Sequence, residues 1–213
     1  MKKKAIIVSI KGFRLSKKEK LLLVAEKPWG LILFKRNIKS LSQIKFLTKN
    51  IRKLTKDKHF PILIDEEGSM VSRLRNIINH NVTANFFGKL YLINKKLSIS
   101  LYTNYLNSLC KILNNIGINI NTIPVLDILR KNTSKVIGSR SYSNNREIVK
   151  KFGNITVNLC HLNKIICVMK HIPGHGCTKS DSHYKMPKVN LNLKKLNEID
   201  HFPFKNNNSK LAM

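Results

Sequence analysis

The densest chemistry in this sequence lies at residues 170–183, KHIPGHGCTKSDSH, which hold three of the chain's seven histidines. Gly174 and Gly176 give the stretch access to positive φ. Asp181 and His183 stand two apart on what reads as a loop. A carboxylate beside an imidazole orients it and favours its protonated form, which suits a general acid/base near neutral pH. Two other readings stay open at this point. His171, His175, Cys177 and His183 are competent metal ligands, although their spacing matches no standard zinc pattern. The stretch is also compatible with a solvated Gly-rich turn whose histidines are incidental.

Carboxylates are scarce elsewhere. The 213 residues contain 11 Asp+Glu against 40 Lys+Arg, a formal net charge of +29, so each acid invites a question. Asp65, Glu66, Glu67 and Asp127 follow apolar runs, and Asp181 lies in the Gly/His-rich stretch. Asp65 could accept hydrogen bonds from substrate hydroxyls, although DEEG at 65–68, taken alone, reads first as a turn signal. Arg73 and Arg75 follow shortly after. Arg140 sits in a Gly/Ser loop, where an arginine by itself reads as a surface charge. No GxSxG elbow is present, so a serine hydrolase of that kind is unsupported.

The elements that must position these residues are short apolar runs alternating with helical patterns. Residues 5–10, 30–34, 60–64, 118–125 and 165–170 read as strands buried on both faces, and 211–213 as the opening of another. Between them, 16–25, 41–54, 97–116, 145–162 and 192–199 carry helix chemistry. Ser16 is a plausible cap, Leu21, Leu22 and Val24 a plausible apolar side for the first helix, and Gly117 a plausible C-cap. Residues 76–95 are ambiguous. Such alternation means parallel βα units, in either a doubly wound sheet or a (β/α)8 barrel. No Gly-rich phosphate loop follows any strand, which disfavours a nucleotide-binding doubly wound fold. In a barrel the functional groups lie at the C-terminal strand ends. Lys35-Arg36-Asn37, Asp65, Asp127 and Lys170-His171 fall there.

Composition narrows the partners. A charge of +29 suits a polyanion or membrane-surface binder. Yet 32 of the 40 cations are Lys, and there are 25 Asn. Both have AT-rich codons, and the lysines are scattered, so biased codon usage explains the charge and nucleic acid is not an expected partner. The N-terminal MKKK opens like a secretory signal, but its apolar run stops after six residues, short of an h-region. No run approaches the about 20 residues of a membrane span. The four cysteines form no CxxC pair. The expectation is a cytoplasmic protein with reduced thiols, no membrane contact, no cofactor and no metal.

Taken in order, WGLILFKRN at 29–37, IDEEG at 64–68 with Arg73, PVLD at 124–127, IGSRSY at 137–142 and KHIPGHG at 170–176 with DSH at 181–183 resemble the family 3 glycoside hydrolases. The likeness is closest to the bacterial cytoplasmic β-N-acetylhexosaminidases of peptidoglycan recycling, and runs from about residue 5 to the last. It implies a TIM-type (β/α)8 barrel that removes terminal, non-reducing N-acetylglucosamine from muropeptides or related sugars. It also implies retention of configuration through a covalent glycosyl-aspartate. Carried over, His183 is the acid/base and Asp181 its orienting partner, while Asp65, Arg73, Arg140, Lys170 and His171 hold the sugar.

Three departures accompany the resemblance. Ser69 and Met70 stand where the family usually has a second Gly and a basic residue. Residues 76–90 lack the expected Pro-containing segment. The family's nucleophilic aspartate lies downstream of the DSH loop, on a later strand, and the sequence stops at Met213. Residues 1–213 are therefore expected to be a C-terminally truncated catalytic domain of about five to six βα units. Such a chain is expected to be inactive alone, or completed by a downstream polypeptide. Other readings are a non-catalytic sugar- or polyanion-binding remnant of the fold and an N-acetylglucosaminide phosphorylase.

Overall fold

A computed structural model describes residues 3–181 and 184–213. Six parallel strands follow one another in chain order: β1 (Lys4–Val8), β2 (Pro28–Leu33), β3 (Ile62–Ile64), β4 (Ile120–Asn121), β5 (Ile166–Met169) and β6 (Leu211–Ala212). Helices α1 (Lys17–Glu26), α2 (Leu41–Thr55), α3 (Ala84–Ile93), α4 (Lys95–Asn115), α5 (Arg146–Leu162) and α6 (Leu193–Glu198) lie between them. This is a curled arc of a (β/α)8 TIM-type barrel, with helices on its outer side.

The strands are buried on two faces, and the period of two sorts their side chains. Leu31, Leu33, Ile62 and Ile64 join the large core against the helices. Leu63, Ile120 and Val168 form a second cluster with Trp29, Ile32 and Leu211. The helices supply their side of the core at three-to-four spacing, as in Ile44, Leu47 and Ile51 of α2 and Tyr102, Leu106, Leu109 and Leu113 of α4. Of the residues left ambiguous by the sequence, 84–93 form α3, capped by Thr83, and 76–83 lead into it without helix or strand. Gly117, just past α4, has φ of +76°, the left-handed conformation that favours Gly after a helix.

Three expectations need correction. β1 is a strand, but Lys4–Ile7 are exposed: among the described residues it pairs with β2 alone. In α1 the capping box of Ser16 and Glu19 forms, yet Leu21, Leu22 and Val24 face outward and Leu23 alone is buried. Four consecutive apolar residues cannot share one helical face. The fourth strand is shorter than its apolar run: ladder pairing covers Ile120–Asn121, and Pro124, which has no N–H to donate, interrupts it.

Candidate functional site

The two strands that carry most of the chemistry reach it by their endings. Past β3 the chain stays extended through Asp65, Glu66 and Glu67. The alternation turns Asp65 and Glu67 into a cleft of about 450 Å³ and Glu66 away from it. Past β5, Lys170 and His171 enter the same cleft. The Lys170 amide donates to the Pro124 carbonyl (3.1 Å) and the Leu126 amide to the Lys170 carbonyl (2.7 Å). These bonds draw the chain after β4 alongside β5 and bring Asp127 to His171.

The cleft is a closely matched set of charges. Lys170, 3% exposed, places Nζ 2.5 Å from Glu67 Oε1, 3.8 Å from Asp65 Oδ1 and 2.8 Å from Thr122 Oγ1. Arg140 donates to both Glu67 oxygens, at 2.7 and 2.9 Å, and to the Val136 carbonyl at 2.8 Å. Asp65 accepts from Arg73 (2.6 Å) and from the Thr122 hydroxyl (2.6 Å). His171 Nδ1 lies 2.6 Å from Asp127 Oδ2, and its Nε2 is 3.4 Å from Arg140. An arginine cannot accept, so that contact requires a lone pair on Nε2 and the proton on Nδ1, facing Asp127. Asp127 is fully buried and also accepts the His175 amide at 2.6 Å.

Burial alone would push the Asp65 and Glu67 carboxyls up. For Asp65, Lys170, Thr122 and Arg73 together outweigh it; for Glu67, Lys170 and Arg140 do. Both are held below their ordinary values of 3.8 and 4.5. Arg140 is desolvated, which lowers its value, but Glu67, Asp127 and Asp65 leave it raised, so it stays charged. A carboxylate depressed in the folded state stabilises the fold above its unfolded value and loses that contribution as pH falls through the folded one. The urea midpoint should therefore begin to fall below about pH 4.5, with a shallower fall in Asp65→Asn. Asp200 acts oppositely. Burial raises its carboxyl despite Arg130, so its charged form costs stability near neutrality and not in acid.

Asp65, Arg73, Arg140, Lys170 and His171 thus share one cleft. Asp181 is not among the residues that line it; its carbonyl accepts the amides of Tyr184 and Lys185 (3.1 and 3.0 Å). His183 lies outside the described residues, and with it the Asp181–His183 pairing and the fourth ligand of the metal reading. Among the described residues no three His, Cys, Asp or Glu side chains converge as a metal cage. Cys177 Sγ instead donates to the Gly174 carbonyl (3.1 Å). Lys35-Arg36-Asn37 serves the scaffold: Arg36 and Asn37 both donate to the Ile10 carbonyl. Sequence reasoning missed Glu67 and Thr122 as partners of Lys170, and Asp127 as the orienting group of His171. The scarcity of acids was the available signal for Glu67 and Asp127, and Thr122 had none. Met70, at one of the departures from the family pattern, lines the cleft. A larger groove of about 620 Å³ between α1 and α2 has no acid or histidine in its lining, so the chemistry is not there.

Residues 2–210 match the glycosyl hydrolase family 3 N-terminal domain. The chain is 33% identical over 181 residues to beta-hexosaminidase A of Pseudoalteromonas piscicida, covering 82% of this chain and 30% of that protein. It is 29% identical to a beta-hexosaminidase of Chromobacterium violaceum, covering 93% of this chain and 55% of that one. Among solved structures it superposes on NagZ from Neisseria gonorrhoeae in complex with N-trifluoroacetyl-D-glucosamine, with a TM-score of 0.91 and 28% identity, over 99% of this chain and 63% of that one. A family 3 beta-N-acetylglucosaminidase from a Paenibacillus species gives 0.82 at 27% identity, over 93% and 37%. The chain therefore spans between about a third and two thirds of the lengths of these relatives. The order of its strands, the charged cleft at their C-terminal ends and these matches converge on one assignment: this chain belongs to the glycosyl hydrolase family 3 N-terminal domain family.

Proposed function

We propose that this chain forms the sugar-binding part of a retaining β-N-acetylglucosaminidase acting on terminal N-acetylglucosamine of muropeptide-like saccharides, in the cytoplasm. The observation that carries the reading is the convergence of Asp65, Arg73, Lys170 and His171 on one cleft. Each Asp65 oxygen has one partner in place and lone pairs to spare for sugar hydroxyls. Arg73 and Lys170 supply donors for hydroxyl oxygens. His171, oriented by Asp127, turns Nε2 toward the cleft, where a sugar hydroxyl can replace the 3.4 Å Arg140 contact as donor to its one lone pair, and Arg140 keeps its two bonds to Glu67. His183, paired with Asp181, is the acid/base that protonates the departing oxygen. The covalent step falls to an aspartate in the part of the relatives' length that this match does not span.

The test is titration of the purified chain with N-acetylglucosamine by NMR or calorimetry at two salt concentrations. Binding should be insensitive to salt, and Asp65→Ala should weaken it at least about tenfold, since charge-assisted hydrogen bonds contribute about 1.5–3 kcal/mol each. Binding that falls steeply with salt and ignores Asp65→Ala would instead identify a polyanion binder.

A further inference from the structure

Between the two carboxylates that face the cleft sits one that does not. Glu66 is fully buried, and neither it nor His80 lines the cleft. Its Oε2 accepts two backbone amides, those of Arg73 (2.8 Å) and Leu74 (2.9 Å). Its Oε1 lies 2.7 Å from His80 Nε2, and His80 Nδ1 lies 3.3 Å from the Tyr105 hydroxyl on α4. The Glu66 main chain is clamped by one side chain beyond β3: its amide donates to Asn121 Oδ1 (3.0 Å), and Asn121 Nδ2 donates to its carbonyl (2.9 Å). Burial first, and the Glu66 charge second, push the Tyr105 hydroxyl upward, so it remains a protonated partner for the imidazole.

The stretch that needs this support is residues 71–75, which bears Arg73 and belongs to no helix or strand. Without a ladder its amides need acceptors from elsewhere, and the Glu66 carboxylate, acceptor-only when ionised, supplies two. Leu74, fully buried, anchors the same stretch. Arg73 in turn reaches Asp65 at 2.6 Å and lies over the Phe34 ring at 5.6 Å.

We propose that Glu66 is a positioning residue: through the amides of Arg73 and Leu74 it sets where the Arg73 guanidinium meets Asp65, and His80, braced by Tyr105, holds its carboxylate in that bridging geometry. The proposal rests on reading Asp65 and Arg73 as sugar-binding groups. It adds to that reading a set of residues that touch no ligand, yet set the affinity.

The experiment compares Glu66→Gln, Glu66→Ala and His80→Phe in the whole chain. N-acetylglucosamine titration is one readout, and hydrogen exchange at the Arg73 and Leu74 amides the other. In Glu66→Gln the amide oxygen can keep both backbone donors while its NH₂ turns to His80 Nε2, so affinity should stay within about threefold of the parent and both amides stay protected. Glu66→Ala should weaken binding at least about tenfold and speed exchange of the two amides by about a hundredfold relative to the α4 amides. His80→Phe leaves Glu66 in place but unbraced and should give an intermediate loss. If Glu66→Ala does not fold, His80→Phe and Glu66→Gln carry the comparison. Parent-like affinity and parent-like exchange in either folded disruptive variant would overturn the proposal. If the parent binds no N-acetylglucosamine, the sugar reading fails on its own, and the exchange rates still decide whether Glu66 positions the Arg73 segment.

Discussion

Lys170→Met should unfold with about 3 kcal/mol less free energy than the parent, and should lose measurable N-acetylglucosamine binding. The side chain is 3% exposed and sits between Glu67 and Asp65, with the Thr122 hydroxyl as a third partner. Methionine matches its length and apolar stem, so packing changes little, and what is lost is the charge. The charges shielded from water here are Arg73, Arg140 and Lys170 against Asp65 and Glu67 of the lining and Asp127 behind His171, while the fourth cation of the lining, Lys135, is exposed. Removing one cation leaves a net negative charge in a desolvated place. Breaking a buried pair from one side costs about 3–5 kcal/mol, because the partner stays buried and unpaired. The low end applies, since Arg140 still holds Glu67 in two places and Arg73 still holds Asp65. Urea denaturation near neutral pH measures the effect. A loss under about 1 kcal/mol would mean that the acids are already neutralised by the two arginines.

Gly176→Ala should be the most damaging single-methyl change near the site. A Cβ there would stand 2.1 Å from the Ile128 carbonyl oxygen and 2.9 Å from that residue's carbonyl carbon and nitrogen. These are backbone atoms, with no flexible side chain able to yield. The loop must move away from the chain that carries Asp127, and the His175 amide then loses its 2.6 Å bond to Asp127. The Thr133 hydroxyl, which donates to the Gly176 carbonyl at 2.6 Å, loses its acceptor as well. Overpacking of this kind costs about 1–3 kcal/mol, and the close backbone of Ile128 places this case at the top of that range. The same methyl at Gly12 meets nothing within 4 Å and should be silent. Melting temperatures of the two variants, with N-acetylglucosamine titration of each, give the comparison. Equal melting temperatures would show that the loop carries no tight contact with Ile128.

Much of this site is legible in the linear order of residue types. DEEG after an apolar run, Arg140 in its Gly/Ser loop, and KHIPGHG followed by DSH carry the family resemblance through their order along the chain, because DEEG alone reads as a turn and Arg140 alone as a surface charge. Alternating apolar runs and helical patterns announce parallel βα units, since a short run buried on both faces differs from three-to-four spacing, and the polar groups at the strand ends together with the family resemblance favour the barrel over a doubly wound sheet. The errors lie where a local pattern depends on a neighbour. Leu21, Leu22 and Val24 are apolar, but which residue of α1 turns inward is decided by what lies beneath the helix, and Leu23 wins. Residues 5–8 read as buried, yet burial of a strand depends on what packs beside it, and among the described residues β1 pairs with β2 alone.

Sequence by itself determined which groups are available: few acids, a His/Gly loop and cations at strand ends, in an order that belongs to family 3. Tertiary structure decided which of them meet. Parallel register pairs Ile64 with Asn121 and Asn121 with Cys167. This sets the ends of β3, β4 and β5 side by side, so that Asp65, Thr122 and Lys170 become partners. Nothing local encodes that meeting, because each hydrogen bond joins residues from different strands and depends on the register of every strand between them. The same register turns Glu67 toward Lys170 and Arg140 and sends Glu66 the other way, to His80 and the amides of Arg73 and Leu74. Three adjacent acids that look alike in the sequence thereby acquire different surroundings, because extended backbone alternates its side chains between two faces.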